Sequence, residues 1–98
     1  MYGLSQKSWE LLLKLAIDPL KNHGAEVWIF GSRARGDYKK FSDIDILYEL
    51  KQEQQTGFIS LIKENLEESD LPIKVDLVDL KNLAKAYAVN VHKEKKRV

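Results

Sequence analysis

Apolar residues recur along this chain with spacings that predict helices near both ends and strands between them. In the first segment they recur every three or four positions, and Ser5 or Ser8 can cap the helix that this spacing predicts. The apolar stripe consists of Trp9, Leu12, Leu13, Ala16 and Leu20. Pro19 lies inside the stripe and predicts a kink, or a restart capped by Asp18. We expect the helix to stop at Asn22-His23-Gly24, because glycine tolerates a left-handed conformation.

Three apolar runs predict strands. The first, Val27-Trp28-Ile29-Phe30, is continuously apolar and lies between two glycines, as is typical of a short buried strand. The second run covers residues 44–50. The third covers residues 73–78 and follows a break in the pattern at Asp70-Leu71-Pro72. A short helix is expected between the first two strands, directly after Gly31.

Two further helical stripes complete the pattern. Residues 57–66 place four apolar residues on one face, namely Phe58, Ile59, Ile62 and Leu66. Asp79 can cap a last helix, whose apolar stripe is Leu80, Leu83, Ala84, Tyr87 and Val91. Helices thus alternate with strands, which predicts an α/β (α+β) fold: a small mixed sheet of about three or more strands flanked by helices. We expect residues 1–98 to form a single domain.

Composition limits the possible functions. Sixteen basic and 15 acidic residues among 98 give a formal net charge of +1, so we expect no stable nucleic-acid binding. The chain lacks cysteine, which excludes disulfides and thiolate metal sites within it. Residues 1–7 do not resemble a signal peptide, and no apolar stretch approaches the roughly 20 residues of a membrane span. These features predict a soluble, cytoplasmic protein that does not associate with membranes.

Several conspicuous residues have simple structural interpretations. His23 and His92 are isolated and are expected on the surface, whereas Trp9 and Trp28 are expected in the core. The basic end of the chain consists of Lys93, Lys95, Lys96 and Arg97. Positive charge suits the end of a helix, so we expect a solvated, partly frayed tail. Contact with an acidic or RNA-bound partner is the alternative.

A polar turn directly after the first strand is the first candidate for chemistry. Its sequence is Gly31-Ser32-Arg33-Ala34-Arg35-Gly36. Where a strand gives way to a helix, free N–H groups and the positive end of the helix dipole can bind phosphate. Ser32 adds a hydroxyl donor, and Arg33 and Arg35 add planar, fork-shaped donors. A Gly-Ser turn with solvated arginines is an equally good interpretation of this hexapeptide alone.

Three aspartates strengthen the functional interpretation. On a strand, Asp43 and Asp45 point to the same face about 6.6 Å apart, and such a pair can bind hard cations such as Mg²⁺. Two ions about 3.5–4 Å apart would stabilise an in-line phosphoryl displacement. Alternation along the third strand places Asp76 on the face away from Val75 and Leu77. Pairing of this strand with the second would bring Asp76 beside the other two aspartates. An acid-decorated strand edge is the alternative, but acids are poor strand formers.

These motifs together resemble a known family. Gly31-Ser32, followed after ten residues by Asp43-Ile44-Asp45, resembles the signature of the polymerase-beta-like nucleotidyltransferase superfamily. The stretch of residues 30–46 is similar to its minimal nucleotidyltransferase (MNT) branch, and Asp76 matches the family's third carboxylate. The resemblance implies the nucleotidyltransferase core fold. It also implies transfer of AMP from ATP with release of pyrophosphate.

The resemblance also assigns roles to these residues. Gly31 and Ser32 would hold the nucleotide triphosphate, with the arginines at positions 33 and 35 as further phosphate ligands. Asp43 and Asp45 would bind two magnesium ions. Asp76 would complete one metal site and help to activate the acceptor hydroxyl.

Members of similar size resemble MNT antitoxins, which are paired with HEPN ribonuclease toxins. The leading hypothesis is therefore AMP transfer to a tyrosine of such a toxin, from a chain that could also form homo-oligomers. One alternative is an antitoxin or binding module that masks its partner without catalysis. Another is nucleotidyl transfer to a small molecule or an RNA end. Only about twenty residues follow Asp76, so the acceptor surface is expected to come from another molecule or another copy of the chain.

Overall fold

The computed structural model describes the backbone of all 98 residues and the side chains of all except Lys85 and Ala86. The elements in chain order are α1 (Gln6–Leu12), a π-helical segment (Leu13–Ile17), α2 (Asp18–Asn22), β1 (Glu26–Phe30), α3 (Ser32–Arg35), β2 (Ile44–Glu49), α4 (Phe58–Glu67), β3 (Val75–Asp79), a 3-10 turn (Leu80–Asn82), α5 (Lys85–Glu94) and β4 (Lys96–Arg97). Among the helices of this described chain, none combines the length and apolar character that crossing a membrane requires.

The four strands form one mixed sheet in the order β3-β2-β1-β4. β1 pairs antiparallel with both β2 and β4, whereas β2 and β3 are parallel. A parallel pair needs a crossover connection, and α4 supplies it between β2 and β3. The predicted small mixed sheet flanked by helices is therefore confirmed. The parallel pairing also places the first residues of β2 and β3 at the same end of the sheet.

The first helical segment begins and ends where the sequence predicts. The hydroxyl of Ser5 accepts a hydrogen bond from the N–H of Ser8 at 3.1 Å and caps α1. Gly24, after the last turn of α2, has a φ of 83°. This left-handed conformation ends the helix, as is common for glycine.

Pro19 was predicted to cause a kink or a restart, and the structure shows a π-helical turn directly before α2. The backbone remains helical up to Asn22, with a π-helical turn at Leu13–Ile17 in which the N–H of Asp18 donates to the carbonyl of Leu13. Proline lacks an N–H and crowds the carbonyl four residues earlier, and a wider turn relieves this conflict. The predicted capping by Asp18 is wrong, because this residue lies in helical conformation and α2 has no side-chain cap.

The two faces of the sheet carry cores of different size. One face packs against the first helical segment and α4, and its strands contribute Val27, Ile29, Ile44, Ile46 and Tyr48. The other face carries a smaller cluster of Trp28, Leu47 and Val91, the last from α5. Side chains along β3 also alternate between the two faces: Val75 and Leu77 pack with the larger core, and Val78 packs with the smaller one. Trp9 and Trp28 are both buried, as predicted.

The last helix begins later than predicted. Asp79 does cap an element, but it is the short 3-10 turn, where its carboxylate accepts from the N–H of Lys81 at 2.9 Å. α5 starts only after Ala84, so the apolar residues predicted on one helix are divided between a turn and a helix. Tyr87 is 66% exposed and not part of an apolar face, which corrects that part of the prediction.

The basic end of the chain belongs to the sheet, so its prediction as a frayed tail is wrong. β4 pairs with β1, and the N–H of Val98 donates to the carbonyl of Val27 at 3.1 Å. The ammonium group of Lys95 lies 4.5 Å from the centroid of the Trp28 ring. Backbone pairing satisfies the open edge of β1, and the aromatic ring attracts the cation, so both contacts hold these residues on the sheet.

Candidate active site

The turn after β1 brings the backbone of Gly31 against the side chain of Asp45. Gly31 has φ 75° and ψ −159°, a combination that is almost restricted to glycine. A Cβ atom built at this position would overlap the Asp45 carboxylate. Both the conformation and the close approach therefore require glycine here. The polar turn and the carboxylate strand form one continuous site.

Ser32 is the first residue of α3, a single helical turn. The N–H groups of Ala34 and Arg35 both donate to the carbonyl of Gly31, at 3.1 and 3.0 Å. The first N–H groups of a helix have no acceptor within the helix. That of Ser32 is consequently available to an anion that approaches the turn, whereas Arg33 is almost fully buried.

Strand pairing brings Asp45 and Asp76 together. Asp45 lies in register with Phe30 of β1 on one side and with Asp76 of β3 on the other. Because residues in register on parallel strands share a face, the two carboxylates lie on the face of the smaller core. Asp43 precedes β2 and is exposed. The structure thus places two of the three predicted acids side by side and the third at the entrance to β2.

The electrostatics of the site centre on Asp45. Burial is the main cause that raises its pKa, from 3.8 to about 6, with further increases from the charges of Asp76 and Asp43 and from a hydrogen bond with Asp76. The positive charge of Arg35 acts in the opposite direction. The site therefore concentrates negative charge at a partly buried point where a cation would be favoured.

Arg35 lies on the surface beside this cluster of acids. Its guanidinium donates to the carboxylates of Asp37 at 3.3 Å and Glu94 at 3.0 Å, which joins α3 to the end of α5. These two partners raise the pKa of Arg35, which stays fully charged. Its side chain is 42% exposed, so it is accessible to a phosphate group.

Arg33 has a different environment, and its prediction as a phosphate ligand needs correction. The residue is only 3% exposed. Its guanidinium donates to three backbone carbonyls: Tyr2 at 2.9 Å, Ser42 at 3.0 Å and Lys40 at 3.3 Å. The guanidinium is therefore occupied by the protein itself, and we remove Arg33 from the candidate nucleotide ligands.

The family described as polymerase beta, nucleotidyltransferase matches residues 17–98 of this chain. The matched range contains the turn at Gly31 and all three aspartates. The chain belongs to this family.

Individual relatives place this nucleotidyltransferase in the MNT branch. It is 39% identical to the probable protein adenylyltransferase MntA of Haemophilus influenzae, with 70% of this chain and 68% of that protein covered. A structure described as a minimal nucleotidyltransferase has a TM-score of 0.73 and 26% identity, and 97% of both chains is covered. A toxin–antitoxin crystal structure with AMP-PNP has a TM-score of 0.65 and 25% identity, with 86% of this chain and 69% of that chain covered. The predicted family and fold are confirmed.

The aspartates of this MNT protein have the donor chemistry of a magnesium site. All their ligand atoms are carboxylate oxygens, which Mg²⁺ prefers. Repulsion among these carboxylates contributes to the raised pKa of Asp45, and a bound cation would relieve it. Among the described side chains, no three His, Cys, Asp or Glu residues converge closely enough to hold a metal ion. The donor types fit magnesium, while their arrangement is more open than one shared ion needs.

The sequence analysis did not identify two charged residues near the nucleotidyltransferase site, Lys74 and Glu94. The ammonium group of Lys74 lies 3.5 Å from the carboxylate of Asp76. This pair could have been found, because residues two apart on an extended chain share a face. Glu94 is 59 residues from Arg35 in the chain, and no local pattern indicates their contact.

The raised pKa of Asp45 predicts how the metal-free protein responds to pH. The pKa of Asp45 is about 6 in the folded state, compared with 3.8 for an unperturbed aspartate as in the unfolded chain. The folded state therefore binds the carboxyl proton of Asp45 more tightly. The resulting stability is fully present below pH 4 and is lost as the pH rises through about 6. At about 1.4 kcal/mol per pKa unit, discounted for partial exposure, the loss should be about 1–2 kcal/mol.

Urea unfolding of the wild type and Asp45→Asn in EDTA, at pH 5 and pH 8, measures this effect. The wild type should be less stable at pH 8, and the variant should show a smaller difference. Equal differences in the two proteins would rule out Asp45 as the origin of the pH dependence.

Proposed function

We propose that this nucleotidyltransferase transfers AMP from ATP, with magnesium, to a hydroxyl group of a partner protein, namely a tyrosine of a HEPN ribonuclease toxin. The observation that carries the proposal is the pairing of Asp45 with Asp76 directly against Gly31. This arrangement puts the turn at Gly31, our candidate for phosphate binding, and two carboxylates at one end of the sheet. Phosphoryl transfer requires these two elements to be adjacent.

In the proposed site, Gly31 and Ser32 bind the triphosphate through backbone N–H groups and the serine hydroxyl, and Arg35 contacts a phosphate from the surface. Asp43 and Asp45 would hold the magnesium ions, together with Asp76 for one of them. When bound, magnesium would neutralise the charge that develops on the phosphate oxygens.

The acceptor oxygen would attack the α-phosphorus of ATP while the bond from that phosphorus to the pyrophosphate oxygen breaks. The proton of the acceptor hydroxyl would pass to a carboxylate, and Asp76 is the candidate because it lies beside Asp45. The products are an adenylylated protein and pyrophosphate. Atoms and charges balance without a further reactant.

The relatives support the choice of a protein acceptor. The Haemophilus influenzae relative is named as a protein adenylyltransferase. One of the similar structures is a toxin–antitoxin assembly with an ATP analogue. We accordingly propose ATP as the substrate, magnesium as the metal cofactor and a toxin as the acceptor partner. The proposed location is the cytoplasm.

A labelling experiment tests the proposal. The protein is incubated with Mg²⁺ and ATP labelled at the α-phosphate, in lysate of its own cells and with any co-encoded toxin. The Asp43→Asn/Asp45→Asn double variant is compared with Asp70→Asn, which changes an exposed acid in the connection before β3. We expect a labelled protein band with the wild type and Asp70→Asn, and none with the double variant.

Other outcomes would support the alternatives. If no label appears and both the wild type and the double variant inhibit the toxin equally, the protein masks its partner without catalysis. If the label appears in RNA or in a small molecule, the chemistry stands and the protein acceptor is wrong.

A further inference from the structure

Arg33 is the only buried charged residue among the side chains that the structure describes. Burial of an ion is unfavourable unless hydrogen bonds replace its hydration. Arg33 has three such bonds, and each goes to a backbone carbonyl rather than to a carboxylate. The ring of Tyr38 lies 4.9 Å from its guanidinium carbon and covers a face of the group. The guanidinium therefore holds backbone segments together.

Two of the three carbonyls lie in the segment of residues 36–43, which joins α3 to β2 and ends with Asp43. The Nε of Arg33 binds the carbonyl of Ser42 at 3.0 Å. That carbonyl and the N–H of Asp43 belong to one peptide unit, which is planar. A bond that orients the Ser42 carbonyl consequently orients the backbone of Asp43.

The opposite side of Asp43 is held by the sheet. The N–H of Ile44 donates to the carbonyl of Lys74 at 3.0 Å, at the start of the pairing between β2 and β3. In the segment before Asp43, Lys39 and Ser42 exchange bonds of 2.8 and 3.1 Å within a local turn, and Asp37 pairs with Arg35 on the surface. Among the bonds of the described side chains, the one from Arg33 to the carbonyl of Ser42 is the tertiary contact that reaches the peptide preceding Asp43.

We propose that Arg33 is a positioning residue for the metal site, which acts by fixing the peptide that precedes Asp43. This inference rests on the proposed function in that it takes Asp43 as a magnesium ligand. The planar fork of arginine suits the task because three carbonyls approach it from different directions. Lysine carries the same charge but bonds through one nitrogen, so it cannot hold all three carbonyls in the same way.

The first test uses trypsin and does not depend on catalysis. Lys39 and Lys40 are exposed in the anchored segment, and cleavage after them requires local opening. Arg33→Lys should accelerate this cleavage at least about tenfold, because charge-assisted hydrogen bonds are lost. Arg97→Lys is the matched control: it makes the same change at an exposed arginine of β4, whose ion pair is with Glu26 rather than with residues 36–43, and should leave the cleavage rate unchanged.

The second test separates positioning from phosphate binding. For Arg33→Lys, the Mg²⁺ concentration for half-maximal AMP transfer should rise about 10- to 100-fold, and kcat should fall. The KM for ATP at saturating Mg²⁺ should stay within about twofold. Arg35→Lys should show the reverse, with a raised KM for ATP and an unchanged Mg²⁺ requirement.

Three results would overturn the proposal. A raised KM for ATP with unchanged cleavage would make Arg33 a phosphate ligand. A lower melting temperature with unchanged cleavage and Mg²⁺ requirement in the folded protein would leave it a purely structural role. Full activity would show that Asp43 needs no such anchor.

Two variations keep the test decisive. If Arg33→Lys does not fold, Arg33→Gln replaces it, because glutamine retains two donors and has no charge to bury. If the wild type transfers no AMP, the proposed function fails. The positioning role of Arg33 is then tested by the rate of trypsin cleavage and by the affinity of the free protein for Mn²⁺, measured by electron paramagnetic resonance. Equal Mn²⁺ affinity and equal cleavage rates in the wild type and the variant would then refute the positioning role of Arg33.

Discussion

The substitution Asp45→Asn should lower the rate of AMP transfer by at least about a thousandfold. Asp45 lies in register with Asp76 and against the backbone of Gly31, at the centre of the proposed site. Asparagine has nearly the same shape but lacks the negative charge that would bind magnesium. Loss of several kcal/mol of transition-state stabilisation corresponds to about three orders of magnitude in rate. The initial rate of label transfer from ATP to the partner at saturating Mg²⁺ measures the effect.

The same variant should be more stable than the wild type when no metal is present. At pH 8 the ionised Asp45 is partly buried beside two like charges, and neutralising it should add about 1–2 kcal/mol to the free energy of unfolding. Lower activity together with higher stability would distinguish a chemical role from misfolding. Asp70→Asn should change neither quantity. A fully active Asp45→Asn protein would remove this residue from the metal site.

Gly31→Ala is expected to have the second largest effect. An alanine at φ 75° and ψ −159° is strained by about 1–3 kcal/mol, whatever space surrounds it. Its Cβ would also overlap the Asp45 carboxylate, so that either the turn or the carboxylate must move. Displacement of a reacting group by about 1 Å can lower activity a hundredfold. We therefore expect a destabilised protein whose folded fraction is at least about a hundredfold less active.

Gly24→Ala is the matched control for this prediction. Gly24 has a φ of 83°, but a Cβ added there would meet none of the atoms that the structure describes within 4 Å. This variant should show a comparable loss of stability in urea unfolding and retain AMP transfer in its folded fraction. If Gly31→Ala retains wild-type activity, the close approach of the turn to Asp45 is not needed for catalysis.

The periodicity of the sequence was sufficient to predict the main elements. β1, β2, α4 and β3 appear in the predicted order, because each contains enough apolar residues at the correct spacing to form one side of a core. The confirmed stop at Gly24 and cap at Ser5 depend on backbone conformation and on bonds within one helical turn. Such features are local and can be recognised from sequence.

Predictions that depended on distant parts of the chain were less successful. The last residues were expected in solvent, yet they pair with β1 and place Lys95 on Trp28. The stripe from Leu80 to Val91 was expected on one helix, but α5 starts only after Ala84. In both cases the unpaired edge or face of the sheet determines where these residues lie, and the sequence does not show which edge remains open.

In the candidate site, too, the features that depend on local sequence were predicted and those that depend on distant contacts were not. Strand alternation predicted that Asp76 would lie on the face away from Val75 and Leu77, and the parallel register of β2 and β3 brings it beside Asp45. The two arginines of the turn could not be distinguished in this way. Arg33 is directed into the protein and Arg35 remains on the surface, because the carbonyls that bind Arg33 come from positions 2, 40 and 42.

The sequence by itself determined the alternation of helices and strands, the polar turn after the first strand, and the acids at the start of two strands. These features follow from spacing and from local backbone chemistry, which each segment carries within it. Only the tertiary structure decided the strand order, the close contact of Gly31 with Asp45, the raised pKa of that carboxyl and the burial of Arg33. Each of these depends on which distant groups meet and how much water their meeting excludes, and these are properties of the folded chain as a whole.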